Sequence, residues 1–201
     1  MKIAVTGGLG SGKSTVSNML AAGLCCELLN TDELCREQLL PGEEGYVKLL
    51  ECFGREFLAT DGALDRPKLR QAVFTESSVK DRLESILHPI VRGIVEKKMQ
   101  SVNCLLVEVP LLYEVGWQED FDICVLVYVS EAVVYKRVAS RDGHSRKIIR
   151  SILDNQIPLD EKLQRASFII DNSGTFVSTV SQVNHLGRVI LSSKGSTGTG
   201  K

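Results

Sequence analysis

The 201-residue chain lacks the features that mark several classes of protein. Its 24 basic and 25 acidic residues give a formal net charge of −1, without the basic surplus that dedicated DNA-binding proteins usually carry. No apolar run approaches the roughly 20 residues that span a membrane. The three histidines have no metal-ligand spacing, and no Cys-x-x-Cys pair is present. We therefore expect a globular domain with no nucleic-acid partner and no membrane span.

The six cysteines do not suggest a disulfide framework. Cys25 and Cys26 are adjacent, while Cys104 and Cys124 lie inside apolar runs. The first residues, MKIAVTGG, show no long apolar region of the kind found in secretory signals. We therefore expect six reduced thiols in a cytoplasmic protein.

Short apolar runs alternate with amphipathic helical segments along the chain. Strand-like runs occupy residues 2–6, 27–29, 104–107, 123–129 and 168–170. The first of them precedes a helical segment, 14–22, that Gly23 is expected to end. This alternation predicts an α/β fold with a parallel sheet and helices on both faces.

The segment from residue 33 to about 100 is helical in pattern, with breaks at Pro41-Gly42 and Asp61-Gly62. It is too long to be a simple connection, so it predicts an inserted lobe. The expected organisation is a core at 1–31 and 99–191, an inserted helical lobe at 32–98, and a disordered Gly/Ser/Thr-rich tail at 192–201.

Residues 7–14, GGLGSGKS, complete the pattern Gly-x-x-x-x-Gly-Lys-Ser that binds nucleoside triphosphates. Glycines allow the backbone to curl so that several N–H groups face phosphate oxygens, and the following helix adds its positive N-terminal end. Lys13 would contact the β and γ phosphates, and the Ser14 hydroxyl would ligate Mg²⁺. A plain glycine-rich turn is the alternative, but the preceding strand and following helix favour the phosphate loop.

Two other segments imitate nucleotide motifs. Residues 195–201 repeat the glycine and lysine spacing but lack the Ser/Thr and any following helix. Asp171-Asn172-Ser173-Gly174 resembles the DxxG of GTPases, but it lies late in the chain and no NKxD tetrad is present. A small-molecule kinase therefore fits better than a GTPase, and an ATPase coupled to a partner stays an alternative.

Three further features fit a kinase, each with a plainer alternative. Asp32 follows the second strand and could act on an acceptor, or Asp32 or Thr31 could cap the next helix. Glu108 comes at the end of the third strand, where a carboxylate could reach Mg²⁺. The plainer alternative is an ordinary acidic residue at the end of a strand. Arg137 and Arg141 are spaced i, i+4 and could clamp a triphosphate, or belong to a solvated helix face.

Together these features resemble the dephospho-CoA kinase family over about residues 2–185. The resemblance rests on ordered blocks: TGGLGSGKST at 6–15, NTDELCRE and the following Pro-Gly at 30–42, DGALDRPKLRQAVF at 61–74, LHP at 87–89, VPLLYE at 109–114, the segment with Arg137 and Arg141-Asp142, Gln156, and IDNSG at 170–174. Family members usually have a second acid where this chain has Asn30.

The resemblance implies a three-layer α/β/α fold with a five-stranded parallel sheet, a helical acceptor lobe and an arginine-bearing lid at about 136–155. It implies transfer of the γ-phosphoryl of ATP to the ribose 3′-hydroxyl of dephospho-CoA. We expect the protein to be a monomer or weak homo-oligomer. Other P-loop small-molecule kinases, of the nucleoside monophosphate or shikimate type, are the alternatives.

The resemblance also implies residue roles. The catalytic group would be Asp32, Lys13 and Arg141. Mg²⁺ would be held by Ser14 and Glu108. The acceptor would meet Asp32, His88, Pro110, Leu111 and Leu112, although packing is the favoured role of the two leucines. ATP would meet Gly8, Gly10, Ser11, Gly12, Lys13, Ser14, Thr15, Arg137, Arg141, Asn172 and Gly174.

Overall fold

A computed structural model describes residues 1–142 and 145–195 of the chain. The strands in these residues are β1 (Lys2–Thr6), β2 (Glu27–Asn30), β3 (Leu105–Glu108), β4 (Ile123–Tyr128) and β5 (Phe168–Asp171). The helices are α1 (Lys13–Leu24), α2 (Thr31–Gln38), α3 (Glu44–Phe53), α4 (Arg66–Thr75), α5 (Ser77–Ser101), α6 (Glu131–Asp142), α7 (Arg146–Asp154), α8 (Leu159–Arg165) and α9 (Phe176–Gly195). A short 3-10 helix, Gln118–Asp120, precedes β4.

The strands form one sheet in the order β2-β3-β1-β4-β5. β1 runs parallel to both neighbours, with Ala4 opposite Val107 on β3 and Cys124 on β4, and β4 runs parallel to β5. The prediction of a parallel α/β sheet of five strands is confirmed. Because the carboxyl ends of parallel strands meet at one edge, the turns after β1, β3, β4 and β5 come together there.

Alternating strand residues pack against α1 and α9 on one face of the sheet. Ile3 and Val5 of β1 are fully buried in a cluster with Val16 and Leu20 of α1. The same cluster contains Ile190 of α9. This packing fixes the direction of α1, whose N-terminus begins directly after the glycine-rich turn.

The chain divides into two compact units, residues 1–29 with 102–201 and residues 30–101. The second unit consists of α2 to α5 and has its own apolar core, in which Leu49 and Phe57 are almost fully buried. Leu69 of α4 and Val79 of α5 complete that core. An antiparallel bridge between Leu58 and Leu64 closes the turn between α3 and α4.

Helix α1 continues two residues beyond its predicted end at Ala22. Gly23 lies inside the helix, and Leu24 is buried in the core, so packing offsets the weak helix propensity of glycine. The helix ends at Cys25, which adopts a left-handed conformation with φ of 51°. The Cys26 amide then donates to the Ala21 carbonyl at 3.0 Å, which satisfies a carbonyl of the last turn.

The expectation of six reduced thiols is wrong in this structure, because Cys26 and Cys104 form a disulfide. Cys26 directly precedes β2 and Cys104 directly precedes β3, and the neighbouring strands bring their Cα atoms to 4.9 Å. That separation lies in the usual range for a disulfide. Cys25, Cys35, Cys52 and Cys124 are free.

The predicted disordered tail begins too early. Residues 192–195 continue α9, where the hydroxyls of Ser192 and Ser193 donate to the carbonyls of Val189 and Ile190. Bonds of this kind to the preceding turn are compatible with helix, which composition alone did not indicate. The rest of the expected tail, 196–201, lies outside the described residues. Among the described helices, none has the length and apolar character required to cross a membrane.

Candidate active site

The glycine-rich segment 7–12 forms the turn between β1 and α1. Gly10 and Gly12 have φ angles of 68° and 84°, a region that residues with a Cβ atom rarely adopt. A Cβ at Gly10 would lie 2.8 Å from Cγ2 of Val138, and one at Gly12 would collide with the side-chain amide of Asn172. The turn therefore requires glycine both for its backbone angles and for its close neighbours. Lys13 begins α1, and its Nζ donates to the carbonyl oxygen of Gly8 at 3.1 Å.

Ser14 and Glu108, the two predicted magnesium residues, are brought together by adjacent strands. The Ser14 hydroxyl donates to Oε1 of Glu108 at 2.9 Å. Glu108 is the last residue of β3 and is only 4% exposed. A hydroxyl and a carboxylate are hard oxygen ligands, and Mg²⁺ is commonly held by one or two such groups together with water and phosphate oxygens. This pair therefore fits Mg²⁺, although the described residues hold no cluster of three or more His, Cys, Asp or Glu.

Asn172 joins the glycine-rich turn to the turn after β5. Its Nδ2 donates to the Ser11 carbonyl at 2.7 Å, and its Oδ1 accepts from the Thr179 hydroxyl at 2.7 Å. Ser11 and Thr179 are almost fully buried. The amide of Asn172 is thus fixed at both ends, which holds the turn in one conformation.

Arg137 of α6 crosses the same region. Its guanidinium donates to the Asn172 carbonyl at 2.8 Å and to the Gly10 carbonyl at 3.5 Å. These contacts place a positive charge beside the phosphate-binding turn. The backbone of Arg141 lies at the end of α6, but its side chain falls outside the described residues.

A cavity of about 770 Å³ opens beside these groups. Its lining includes six of the predicted ATP-binding residues, namely Gly10, Gly12, Thr15, Arg137, Asn172 and Gly174. Gly8 lines a different cavity, on the α7–α8 side of the turn. The cavity beside Asn172 is large enough for a nucleotide and is bordered by backbone amides and a guanidinium, which suit phosphate groups.

The second unit carries two of the predicted acceptor residues. Asp32 is exposed in the first turn of α2. It does not cap that helix, because Oδ1 of Asn30 accepts from the amides of Asp32 and Glu33 at 2.9 and 3.3 Å. The capping alternative for Asp32 or Thr31 is therefore wrong, and Asn30 is the capping residue.

Two ionisable side chains of the second unit, Cys35 and His88, have shifted pKa values. Burial raises the pKa of Cys35 to about 11, and the negative charge of Asp32 adds to the increase. Burial lowers the pKa of His88, on α5, while Glu84 opposes and Lys80 adds to that decrease. His88 is therefore neutral near pH 7.

Pro110, Leu111 and Leu112 lie in the turn after β3. The Pro110 carbonyl accepts from the Thr6 hydroxyl at 3.2 Å, which ties this turn to the end of β1. Leu112 is fully buried, so its role in this structure is core packing and not direct contact with a substrate. Leu111 is partly exposed and differs from Leu112 in this respect.

Two residues close to the site were not predicted from sequence. Thr179, in the first turn of α9, donates to Asn172. Lys162 of α8 is buried and lines the same cavity as Gly8. No local motif marks either residue. The only sequence signal for Lys162 is its position in an amphipathic segment, which more often indicates a solvated lysine.

Comparison with known proteins agrees with this geometry. The dephospho-CoA kinase family model matches residues 1–178. A dephospho-CoA kinase from Desulfotalea psychrophila is 40% identical over 187 residues, which cover 91% of this chain and 94% of the relative. Other curated relatives with the same name are 34–38% identical.

Solved structures give the same result for the fold. A Thermus thermophilus protein is 28% identical, with a TM-score of 0.80 over 96% of this chain and 97% of that protein. A dephospho-CoA kinase from Campylobacter jejuni is 26% identical, with a TM-score of 0.69 over 98% of this chain and 100% of that enzyme. The family match over most of the sequence, together with the phosphate-binding turn, leads to one conclusion: this chain belongs to the dephospho-CoA kinase family.

Proposed function

We propose that this enzyme transfers the γ-phosphoryl group of ATP to the ribose 3′-hydroxyl of dephospho-CoA, giving coenzyme A and ADP. The observation that carries the proposal is the family match over residues 1–178. The phosphate-binding turn between β1 and α1 supports the choice of a nucleoside triphosphate as donor. Kinase chemistry of this kind depends mainly on positioning and on stabilisation of charge.

The donor side of the reaction is assigned to the first unit. Backbone amides of the turn, with Lys13, bind the β and γ phosphates. Arg137, which already contacts the turn through Gly10 and Asn172, neutralises phosphate charge, and Arg141 covers the γ-phosphoryl group. The adenine ring lies against Asn172 and Gly174 in the cavity of about 770 Å³.

Ser14 and Glu108 are the residues that would hold Mg²⁺. The metal would neutralise charge on the β and γ phosphates when bound. The Ser14 hydroxyl would offer an oxygen lone pair to the ion and could still donate its proton to Glu108. Glu108, buried at the end of β3, would supply negative charge to the site and orient the Ser14 hydroxyl.

The acceptor side is assigned to the second unit. Asp32 orients the 3′-hydroxyl and accepts its proton as the oxygen attacks the γ-phosphorus. Because Asn30 satisfies the helix-end amides, the Asp32 carboxylate is not engaged in capping α2. His88, neutral near pH 7, contacts the acceptor through hydrogen bonds and carries no charge into that contact. We place the enzyme in the cytoplasm, as a monomer or weak homo-oligomer.

An acceptor-dependent kinase assay tests this proposal. ATP consumption is measured with dephospho-CoA, and in parallel with shikimate, AMP, CMP and gluconate, and the position of the new phosphate is determined by NMR. We expect turnover only with dephospho-CoA and a phosphate on the 3′ oxygen. Preference for another acceptor would indicate a different small-molecule kinase, and equal ATP hydrolysis without acceptor would indicate an ATPase.

A further inference from the structure

A buried ion pair lies beside the cavity that Gly8 of the phosphate-binding turn lines. Nζ of Lys162 is 2.6 Å from Oε1 of Glu114. The Lys162 side chain is 2% exposed and that of Glu114 is 15% exposed. A lysine buried to this degree carries a large desolvation cost, so the pair is weak evidence for stability alone and suggests a positional role.

Glu114 also holds the connection between α7 and α8. The same Oε1 accepts a hydrogen bond from the Ile157 amide at 3.1 Å. One carboxylate oxygen therefore contacts both the backbone of the connection and the lysine of the helix that follows it. Without Lys162, the carboxylate could rotate, because its Oε2 has no hydrogen-bond partner among the described residues.

The residue before Ile157 faces the phosphate-binding turn. Oε1 of Gln156 lies 3.6 Å from the position that a Cβ on Gly8 would occupy. Gln156, Lys162 and Gly8 line one cavity of about 540 Å³, which the ends of α7 and β4 also border. This cavity meets the turn at Gly8, whereas the cavity assigned to the nucleotide meets it at Gly10 and Gly12.

We propose that Glu114 and Lys162 are positioning residues, which hold the α7–α8 connection so that the Gln156 amide faces Gly8 during phosphoryl transfer. The proposal rests on the kinase function proposed above. Gln156 supplies a neutral amide at the edge of the turn: its Oε1 lies near Gly8, and its Nε2 is the end of the amide that can donate to a phosphoryl oxygen. The pair acts through Gln156 and contacts no reacting atom.

The first test removes the pair. Lys162→Met leaves the Glu114 charge without its partner and could unfold the protein, so Glu114→Leu/Lys162→Met is made as well, because apolar replacement of a whole buried pair is usually tolerated. We expect the double variant to fold, to lose about 10-fold or more in kcat, and to keep KM for ATP within about twofold. Exchange of the Ile157 amide hydrogen, followed by NMR, should become at least about 10-fold faster.

Gln156→Ala is a second variant, which leaves the buried pair intact. Gln156 lies in the connection between α7 and α8, so we expect the variant to fold. It should lower kcat by a similar factor, and its combination with the double variant should lower kcat no further. Arg165→Met, which breaks the exposed pair with Glu161 on the same helix, is the control and should change neither kcat nor Ile157 exchange. A wild-type kcat in Gln156→Ala, or losses that multiply, would overturn the proposal. Inactivity of the wild-type protein toward dephospho-CoA would instead reject the kinase function.

Discussion

The hydroxyl of Ser14 donates to Oε1 of Glu108 at 2.9 Å, which links the first turn of α1 to the end of β3. If this pair holds Mg²⁺, Glu108→Gln should keep the size and the hydrogen bond but lose the charge. We expect kcat to fall about 10- to 100-fold and the Mg²⁺ concentration for half-maximal rate to rise. Glu119→Gln, at an exposed acid of the 3-10 helix, is the matched control. Turnover that persists in excess EDTA would contradict the assignment.

The hydrogen bond from Asn172 to the Ser11 carbonyl gives a second prediction. Asn172→Asp keeps the size and the acceptor for Thr179, but it cannot donate to Ser11 and brings a negative charge near the phosphates. Because a buried carbonyl loses its partner, we expect the affinity for ATP to fall by about 10-fold or more, measured by calorimetry. Asn184→Ala, at an exposed position of α9, should leave the affinity unchanged. Wild-type affinity in Asn172→Asp would show that the turn holds its shape without this bond.

The third prediction separates the roles of Asp32 and Asn30. Asp32→Asn should leave the free energy of unfolding unchanged, since Asn30 is the capping residue, and should lower kcat by about 10²-fold if Asp32 is a general base. Asn30→Ala should do the reverse, with a loss of about 1 kcal/mol in stability and little change in kcat. Asn30→Asp retains a capping oxygen and should not rescue Asp32→Asn. If Asn30→Asp did restore kcat to Asp32→Asn, catalysis would require only a negative charge in this turn and not Asp32 itself.

The disulfide predicts the number and reactivity of the thiols. Unfolded but unreduced protein should titrate four thiols, and reduction should raise the number to six. Because the bond joins residues 78 apart in sequence, its reduction should lower the free energy of unfolding by about 4.5 kcal/mol in the chain-entropy model. In the folded protein at pH 8, the exposed Cys25 should be alkylated before Cys35 and Cys124, whose pKa values burial raises to about 11. Six thiols before reduction would contradict the bond.

The lowered pKa of His88 predicts a pH dependence of stability. At pH values above 6.5, the ordinary pKa of histidine, the imidazole is neutral in both the folded and the unfolded state, and the contribution of His88 to the free energy of unfolding is fully present. As the pH falls below 6.5, the unfolded state binds a proton first, so the free energy of unfolding decreases until the folded pKa is reached. His88→Gln should reduce this decrease in urea unfolding between pH 7.5 and 5.5, and His185→Gln, at an exposed position, is the control. An unchanged slope in His88→Gln would contradict the shift.

Much of the nucleotide side of the site is local in sequence, which is why it could be predicted. The turn between β1 and α1 needs its glycines within a few residues of Lys13 and Ser14, and the strand and helix around it have clear periodicity. Glu108 could be proposed because a parallel sheet brings the ends of neighbouring strands together.

The contacts that were missed depend on residues far apart in sequence. Asn172 and Ser11 are 161 residues apart, and Cys26 and Cys104 meet only because β2 lies beside β3. The pairing of Lys162 with Glu114 has no local pattern, since either residue alone is typical of a solvated surface. The N-terminal cap of α2 was expected at Thr31 or Asp32, whereas Asn30 caps the helix. Sequence alone could not choose among them, because Asn, Thr and Asp are all good capping residues.

The bond between Asn172 and Ser11 also bears on how the protein is made. The ribosome releases the chain from its N-terminus, so the segment 7–14 emerges long before Asn172 and Thr179. Until then β4 has no β5 beside it, and the Ser11 carbonyl has no amide to pair with. A growing chain therefore carries an unfinished nucleotide-binding turn until the segment with Asn172 and Thr179 has been made, and only then can the Ser11 carbonyl gain its partner.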